Sequence, residues 1–146
     1  MKKSVILIIG IIYIVSVVIV GFIGLQMRVY NPTVYVTDIT CAVKNFTPAE
    51  MDQSLMDKYG WDYYYLLPMT SETITIEIRC RVIPEDATNS LVDFFIDTAD
   101  SEYITLSYDN SIAQVTFRDE GVYKITAKSS DGTNVRKVMV FSSYYE

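Results

Sequence analysis

From Val5 to Leu25 the chain runs for 21 residues in which Ser16 is the only side chain that is not apolar, aromatic or glycine. Coiled at about 1.5 Å per residue, such a run reaches roughly 30 Å, the hydrocarbon thickness of a bilayer. A cleavable signal peptide would carry an apolar core of about 7–15 residues and then a small-residue cleavage site. Here the core is longer and is followed by Gln26-Met27-Arg28-Val29-Tyr30, and no lipobox-like small residues precede Cys41. The segment therefore reads as an uncleaved transmembrane signal anchor, a helix near residues 4–27. Gly21 and Gly24 lack GxxxG spacing, and glycine is common in membrane helices, so no helix dimer is inferred from them.

Lys2 and Lys3 outweigh Arg28 across the span, which by the positive-inside bias places the N-terminus in the cytoplasm. The expected division is a cytoplasmic tip and single-pass anchor over 1–28 and an extracytoplasmic domain over 29–146 at the cell membrane. All 18 acidic residues and nine of the 12 basic ones lie in that domain, giving it a formal charge of −9. Such a surface repels nucleic acid, and no basic stripe with interleaved aromatics offsets it.

Beyond the anchor, apolar residues recur with a period of two, the mark of half-buried strands. The rows are Ile39, Cys41 and Val43; Ile74, Ile76, Ile78, Cys80 and Val82; Val92, Phe94 and Ile96; and Ile104, Leu106 and Tyr108. Ala113, Val115 and Phe117 follow, then Tyr123, Ile125 and Ala127, then Val138 and Val140, about seven strands in all. Pro84 removes a ladder donor and ends its strand at Ile83, so residues 84–90 read as an exposed connection. Ser130-Asp131-Gly132 and Asp109-Asn110-Ser111 are turns.

One stretch, about 45–70, interrupts the strands and reads as an insertion. Thr47-Pro48-Ala49-Glu50 has an N-cap, a proline at the first helical position and an acidic first turn, and Met51, Leu55 and Tyr59 continue at spacing four. A short helix over 48–58 follows from this.

Asp119-Glu120-Gly121-Val122-Tyr123 reads D-x-G-x-Y and resembles the tyrosine corner of immunoglobulin-like domains. Val82-Ile83-Pro84-Glu85-Asp86-Ala87-Thr88-Asn89 and Ile125-Thr126-Ala127-Lys128-Ser129-Ser130-Asp131-Gly132 are similar to stretches of bacterial immunoglobulin-like domains of group 2. The likeness covers about residues 72–142. It implies a mainly β fold: an immunoglobulin-like β-sandwich of about seven strands with a short helical insertion, preceded by one transmembrane helix. It makes Asp119, Gly121 and Tyr123 a structural corner. Phe94 stands where antibody-type domains carry a core tryptophan, and Ile125 where they carry the second cysteine. Cys41 and Cys80 lie on strands that neighbour each other in such sandwiches, so the resemblance implies a bridge between them; two buried thiols are the alternative.

The chain contains no histidine, which removes the usual general base, the Ser-His-Asp and Cys-His arrangements and His-based zinc sites. No GxSxG, SxxK, GxGxxG or phosphate-cradling glycine loop occurs either. The expectation is a protein that is not an enzyme and has no cofactor. Asp93, Asp97, Asp100 and Glu102 supply hard oxygen ligands but lack Ca²⁺-loop spacing and suit a solvated face equally well. Asn45-Phe46-Thr47 is a formal glycosylation sequon, to which the bacterial likeness gives little weight.

Trp61, Tyr63, Tyr64 and Tyr65 are the candidate partner-binding residues, because aromatics bury large areas at small entropic cost. The competing arrangement packs Trp61, Tyr63, Tyr65 and Leu67 on the sandwich as an extra strand and leaves Tyr64 solvated. The function expected is a membrane-anchored, non-enzymatic interaction or adhesion module on a bacterial surface, binding a protein, carbohydrate or cell-envelope partner. The alternative is an accessory subunit of a larger membrane or cell-envelope complex.

Overall fold

A computed structural model describes residues 2–29 and 32–146, which form two units, Met1–Thr33 and Val34–Glu146. The first holds helix α1, Lys2–Val29, longer at both ends than the expected 4–27. Its Lys2–Gly24 portion is long and apolar enough to cross a membrane. The Ser16 hydroxyl donates to the Ile12 carbonyl at 2.8 Å, so the one polar side chain of the apolar run is satisfied within its own helix. A helix placed in hydrocarbon would need its polar groups satisfied internally in this way.

The second unit contains β1 (Asp38–Val43), α2 (Gln53–Tyr59), β2 (Tyr63–Met69), β3 (Ile74–Ile83), β4 (Val92–Ile96), β5 (Ile104–Asp109), β6 (Ile112–Phe117), β7 (Gly121–Ser129) and β8 (Arg136–Tyr145). Two four-stranded sheets result, ordered β1-β3-β6-β5 and β2-β8-β7-β4. The first order, together with β4, β7 and β8 in the second sheet, is that of an immunoglobulin constant-type sandwich. The unit is therefore an immunoglobulin-like β-sandwich. Its strands number eight rather than seven, because β2 joins the second sheet in parallel beside β8, Tyr63 opposite Met139 and Met69 opposite Tyr145.

Inward rows from both sheets meet in one core. Ile76, Ile78, Cys80 and Val82 of β3 face Phe94 of β4, Ile125 and Ala127 of β7, and Met139 and Phe141 of β8. For β8 the row facing the other sheet is Met139 and Phe141 rather than the expected Val138 and Val140, although Val140 is also buried, 1% exposed, on the opposite side of the strand. Val138-Met139-Val140-Phe141 is apolar at both parities, so period alone cannot choose the inward face; pairing with β7, where Tyr123 opposes Phe141 and Ile125 opposes Met139, chooses it. On β5 the expected row fades, with Ile104 buried, Leu106 half-buried and Tyr108 exposed. Tyr108 still reaches Phe94, ring centroids 5.5 Å apart.

The expected helix over 48–58 begins later. The Ala49 N–H donates to the Tyr64 carbonyl at 2.7 Å, which ties the chain at Ala49 to β2, and the helix starts only after Asp52. The Asp52 carboxylate accepts the Ser54 N–H at 2.9 Å, a cap that displaces Thr47 from that role. The later start also changes the buried side. Met56 is buried, whereas Leu55 and Tyr59 are exposed.

Residues 34–38 are fastened to the sandwich before β1 begins. Thr88 and Val34 exchange two hydrogen bonds, the Val36 N–H donates to Asp131 at 2.7 Å, and Lys137 pairs with Asp38 at 3.2 Å. Asp131 also accepts the hydroxyls of Thr133 at 2.6 Å and Ser129 at 2.8 Å. These donors, the Thr133 hydroxyl foremost, hold its carboxyl well below the usual carboxylate range.

A folded value below the unfolded one, which is about 3.9 for Asp, means fewer protons bound when folded. This contribution is therefore complete above about pH 4 and lost as pH falls through the folded value. Asp131→Asn places an amide donor against donors, and is expected to be less stable at neutral pH and to show a flatter fall in stability below about pH 4. Urea midpoints across acid pH check both expectations.

Candidate interaction surface

The two sheets present different outer faces. On the first, outward positions are mostly polar: Thr75, Glu77, Arg79 and Arg81 of β3, Gln114 and Thr116 of β6, with Ile83 and Ile112 the apolar exceptions at one end. On the second they are mostly apolar. Val122 is 61% exposed, Phe95 50% and Leu66 46%, with Pro68 and Tyr144 paired beyond Leu66 and with Lys124, Lys128 and Arg136 interspersed. Single exposed apolar residues are ordinary, but here they recur on all four strands of one face, which is the pattern that distinguishes this face from the other.

One margin of this face is aromatic. Gly60 adopts the left-handed conformation (φ 69°) and closes α2, so Tyr59 and Trp61 fall side by side. Their rings stack with centroids 4.9 Å apart, and Trp61 stacks in turn on Tyr64 at 6.2 Å with planes 10° apart. The Lys58 ammonium lies 5.6 Å from the Tyr59 ring. Tyr59 is exposed, while Trp61 and Tyr64 are half-buried.

The four aromatics singled out from the sequence thus separate. Trp61 and Tyr64 belong to the stack. Tyr65 is a core residue, 1% exposed and stacked on Phe141 at 5.2 Å, and burial pushes its phenol up. Tyr63 packs half-buried against the core at the start of β2. Tyr59, assigned from spacing to a helical stripe, is the member of the stack that the sequence did not single out; its place in Tyr59-Gly60-Trp61, a glycine stop between two aromatics, was the available signal.

The remaining candidates fall as follows. Cys41 and Cys80 form a disulfide. They are directly opposite in the β1–β3 ladder, and the Lys44 N–H bond to the Glu77 carbonyl makes theirs a non-hydrogen-bonded pair, where facing side chains lie closest. Asp93 accepts the Ser130 hydroxyl at 2.7 Å and Asp97 lies 3.8 Å from Lys124, so both sit on the sheet surface with partners. Asp100 ends a short 3-10 turn and Glu102 is exposed. Among the described residues no group of three acidic or cysteine side chains is placed to hold a metal ion.

Asn45 is exposed in the turn after β1 at φ 66°, followed by a half-buried Phe46. The 84–90 connection is exposed except for Pro84, Ala87 and Asn89, which are half-buried. It borders an open hollow of about 580 Å³ lined in part by Cys80, Glu85 and Ser111. The Ser111 hydroxyl there is already engaged, accepting the Val92 N–H at 3.0 Å and donating to the Ser90 carbonyl.

At the corner, the Tyr123 hydroxyl reaches the carbonyls of Asp119 and Glu120, both at 3.3 Å. A Cβ at Gly121 would approach that hydroxyl to 3.0 Å, and the residue's φ of +156° suits glycine. Ser143 supplies a second donor to the Asp119 carbonyl at 2.7 Å, so loss of the phenol would leave the Glu120 carbonyl, not that of Asp119, without its side-chain donor. Tyr123→Phe is expected to cost on the order of 1 kcal/mol, whereas Glu85→Ala in the exposed connection should be nearly neutral. Urea unfolding of the two variants side by side checks that order.

No protein-family model matches the chain, and no curated protein matches it. Among solved structures it is similar to a chimeric titin Z1Z2 functionalized with a KLER exogenous peptide from decorin, at 15% identity and a TM-score of 0.34, over 73% of this chain and 99% of that one. At that distance the fold assignment rests on the strand order described above.

Proposed function

We propose that the chain is a non-enzymatic, single-pass membrane protein that holds an immunoglobulin-like sandwich of the bacterial group 2 kind outside the cell and binds a partner through the outer face of its second sheet. The observation that carries this reading is the contrast between the two outer faces, one polar and one bearing Leu66, Phe95, Val122 and Tyr64. The length and apolarity of α1 support the anchor, the lysines at positions 2 and 3 support an inside N-terminus, and the disulfide suits an oxidising compartment. The partner is a protein, carbohydrate or other cell-envelope component.

The same exposed residues also favour a second reading, an accessory subunit whose sheet face is permanently covered in a larger complex. Crosslinking of the full chain in its native membrane tests both. A photo-crosslinker at Leu66 or Val122 should capture a partner, and one at Thr75 on the polar face should not. Equal capture from both faces, or none from either, refutes the assignment of the face. Protease added to intact cells should degrade the sandwich and spare the N-terminus; the opposite pattern refutes the topology.

A further inference from the structure

The two sheets end in the edge strands β1, β5, β2 and β4, whose outer backbone groups face away from their neighbour and so invite another strand. Three of these edges are blunted by the chain itself. On β1 the Asp38 carboxylate accepts the outward Ile39 N–H at 2.8 Å, and the Phe46 N–H donates to the Val43 carbonyl at 3.3 Å. On β2 the Ala49 N–H occupies the outward Tyr64 carbonyl, and Pro68, outward by the same parity, has no N–H to offer. On β4 the Ser111 hydroxyl accepts the outward Val92 N–H at 3.0 Å.

β5 is treated differently. The Arg118 N–H donates to the Tyr103 carbonyl at 2.9 Å, so Tyr103, Thr105, Ser107 and Asp109 turn their backbone groups to β6 while those of Ile104, Leu106 and Tyr108 point outward. Ile104 is 2% exposed and closed to a newcomer, whereas Leu106 is half-buried and Tyr108 43% exposed. Among the described residues nothing bonds the backbone N–H or C=O of Leu106 or Tyr108. Nor does any charge guard the strand before Asp109.

We infer that β5 pairs with β5 of a second copy of this chain, antiparallel about a two-fold axis, joining the two first sheets edge to edge. An antiparallel ladder sets outward residues opposite outward residues, and with Ile104 closed one register engages both Leu106 and Tyr108. It places Leu106 opposite Tyr108 of the second copy and Ser107 opposite its own counterpart. Asp109 of the second copy then comes opposite Thr105, whose hydroxyl already accepts the Arg118 guanidinium at 2.7 Å. Opposite charges therefore meet twice across the axis. Within one copy they do not meet, because Arg118 pairs with Tyr103 at the far end of β5, about 20 Å along the strand from Asp109. The pairing uses neither Leu66 nor Val122, so it is independent of the assignment of the second sheet's outer face.

Cysteine crosslinking of the full-length chain in detergent tests the register. Ser107 would face its counterpart in a non-hydrogen-bonded pair, the arrangement that carries the Cys41–Cys80 bridge between β1 and β3. With the native cysteines already bridged, Ser107→Cys treated with copper phenanthroline is expected to give a disulfide-linked dimer, and Thr105→Cys much less of it. Added to Ser107→Cys, Arg118→Asp should slow the linkage about tenfold, since like charges then meet at both ends of the ladder, and further addition of Asp109→Arg should restore it. All four substituted side chains are exposed, and Trp61 emission matching the parent protein verifies that each variant is folded. Folded Ser107→Cys that stays monomeric overturns the inference. Equal linkage at positions 105 and 107 also overturns it, because random collision or contact through α1 would produce that result. So does a charge reversal that leaves the rate unchanged, or one that the second substitution fails to rescue.

Discussion

Replacing Cys41 and Cys80 together by alanine is expected to destabilise the sandwich by about 4 kcal/mol, the chain-entropy value for a closed loop of some 40 residues. The two cysteines are 39 residues apart, and the loop between them contains all of α2 and β2. Cutting the bridge returns that whole stretch to the unfolded ensemble's freedom, while the folded ladder keeps its backbone pairing. Both sulfurs also belong to the core, so the smaller alanines remove some packing besides. Against a typical total of about 5–15 kcal/mol, such a loss is large. Urea unfolding of the full chain in detergent, followed through Trp61 emission, measures it, and reductant added to the parent protein should produce a similar shift. Variant and parent unfolding within about 1 kcal/mol of each other would show that the bridge does not stabilise the fold.

Tyr65→Ala should cost about 3–5 kcal/mol, the range for removing a fully buried aromatic side chain. Its ring is the first of a series that crosses the core: Tyr65 on Phe141, Phe141 against Phe117 at 5.5 Å, and Phe117 against Tyr123 at 5.6 Å. Phe141 and Phe117 are both 0% exposed, so a void left by Tyr65 has rigid walls and little means of collapsing. One residue along β2 the outcome reverses. Leu66 points outward, and Leu66→Ala should change stability by less than about 1 kcal/mol while weakening any partner held on that face. Unfolding midpoints for the two variants, set beside crosslinking yield for Leu66→Ala, separate a residue that builds the fold from one that uses it. Comparable destabilisation by both would mean that Leu66 is packed as firmly as Tyr65 and that its side of β2 is not a free face.

The legible parts of this fold were those where one physical demand acted alone. The alternation Ile76, Ile78, Cys80, Val82 against Glu77, Arg79 and Arg81 reports a strand wet on one side and dry on the other, and β3 is such a strand. D-x-G-x-Y names its corner because the phenol needs a nearby carbonyl and the close approach at Gly121 leaves no room for a Cβ. β2 was harder to read. Tyr63-Tyr64-Tyr65-Leu66-Leu67-Pro68-Met69 is apolar on both faces, since one side enters the core and the other joins the exposed apolar face, so no period survives. Pro68, which argues against an interior strand, is accommodated because β2 is an edge. The start of α2 was misplaced because a nonlocal bond, Ala49 to Tyr64, overrides a local proline signal. The aromatic stack was half visible, since Trp61 and Tyr64 were conspicuous and Tyr59 depended on where the helix stopped.

The parallel pairing of β2 with β8 governs the order in which the molecule can be assembled as it is synthesised. β8 is the latest strand in the sequence, yet it lies inside the second sheet, between β2 and β7. β1 and β3 can pair, and their cysteines can be oxidised, once residue 83 has emerged, but Tyr63 must wait 76 residues for Met139. Contacts so distant along the chain make folding slow and leave unpaired apolar strands exposed in the interval. Tyr65, Leu67 and Met69 are the residues so exposed, held meanwhile in the loop closed by Cys41 and Cys80. A nascent chain halted before Arg136 would hold every strand of the first sheet but lack the second strand of the other, a form that differs from the completed sandwich in the apolar strand edges it exposes to quality-control proteases and chaperones.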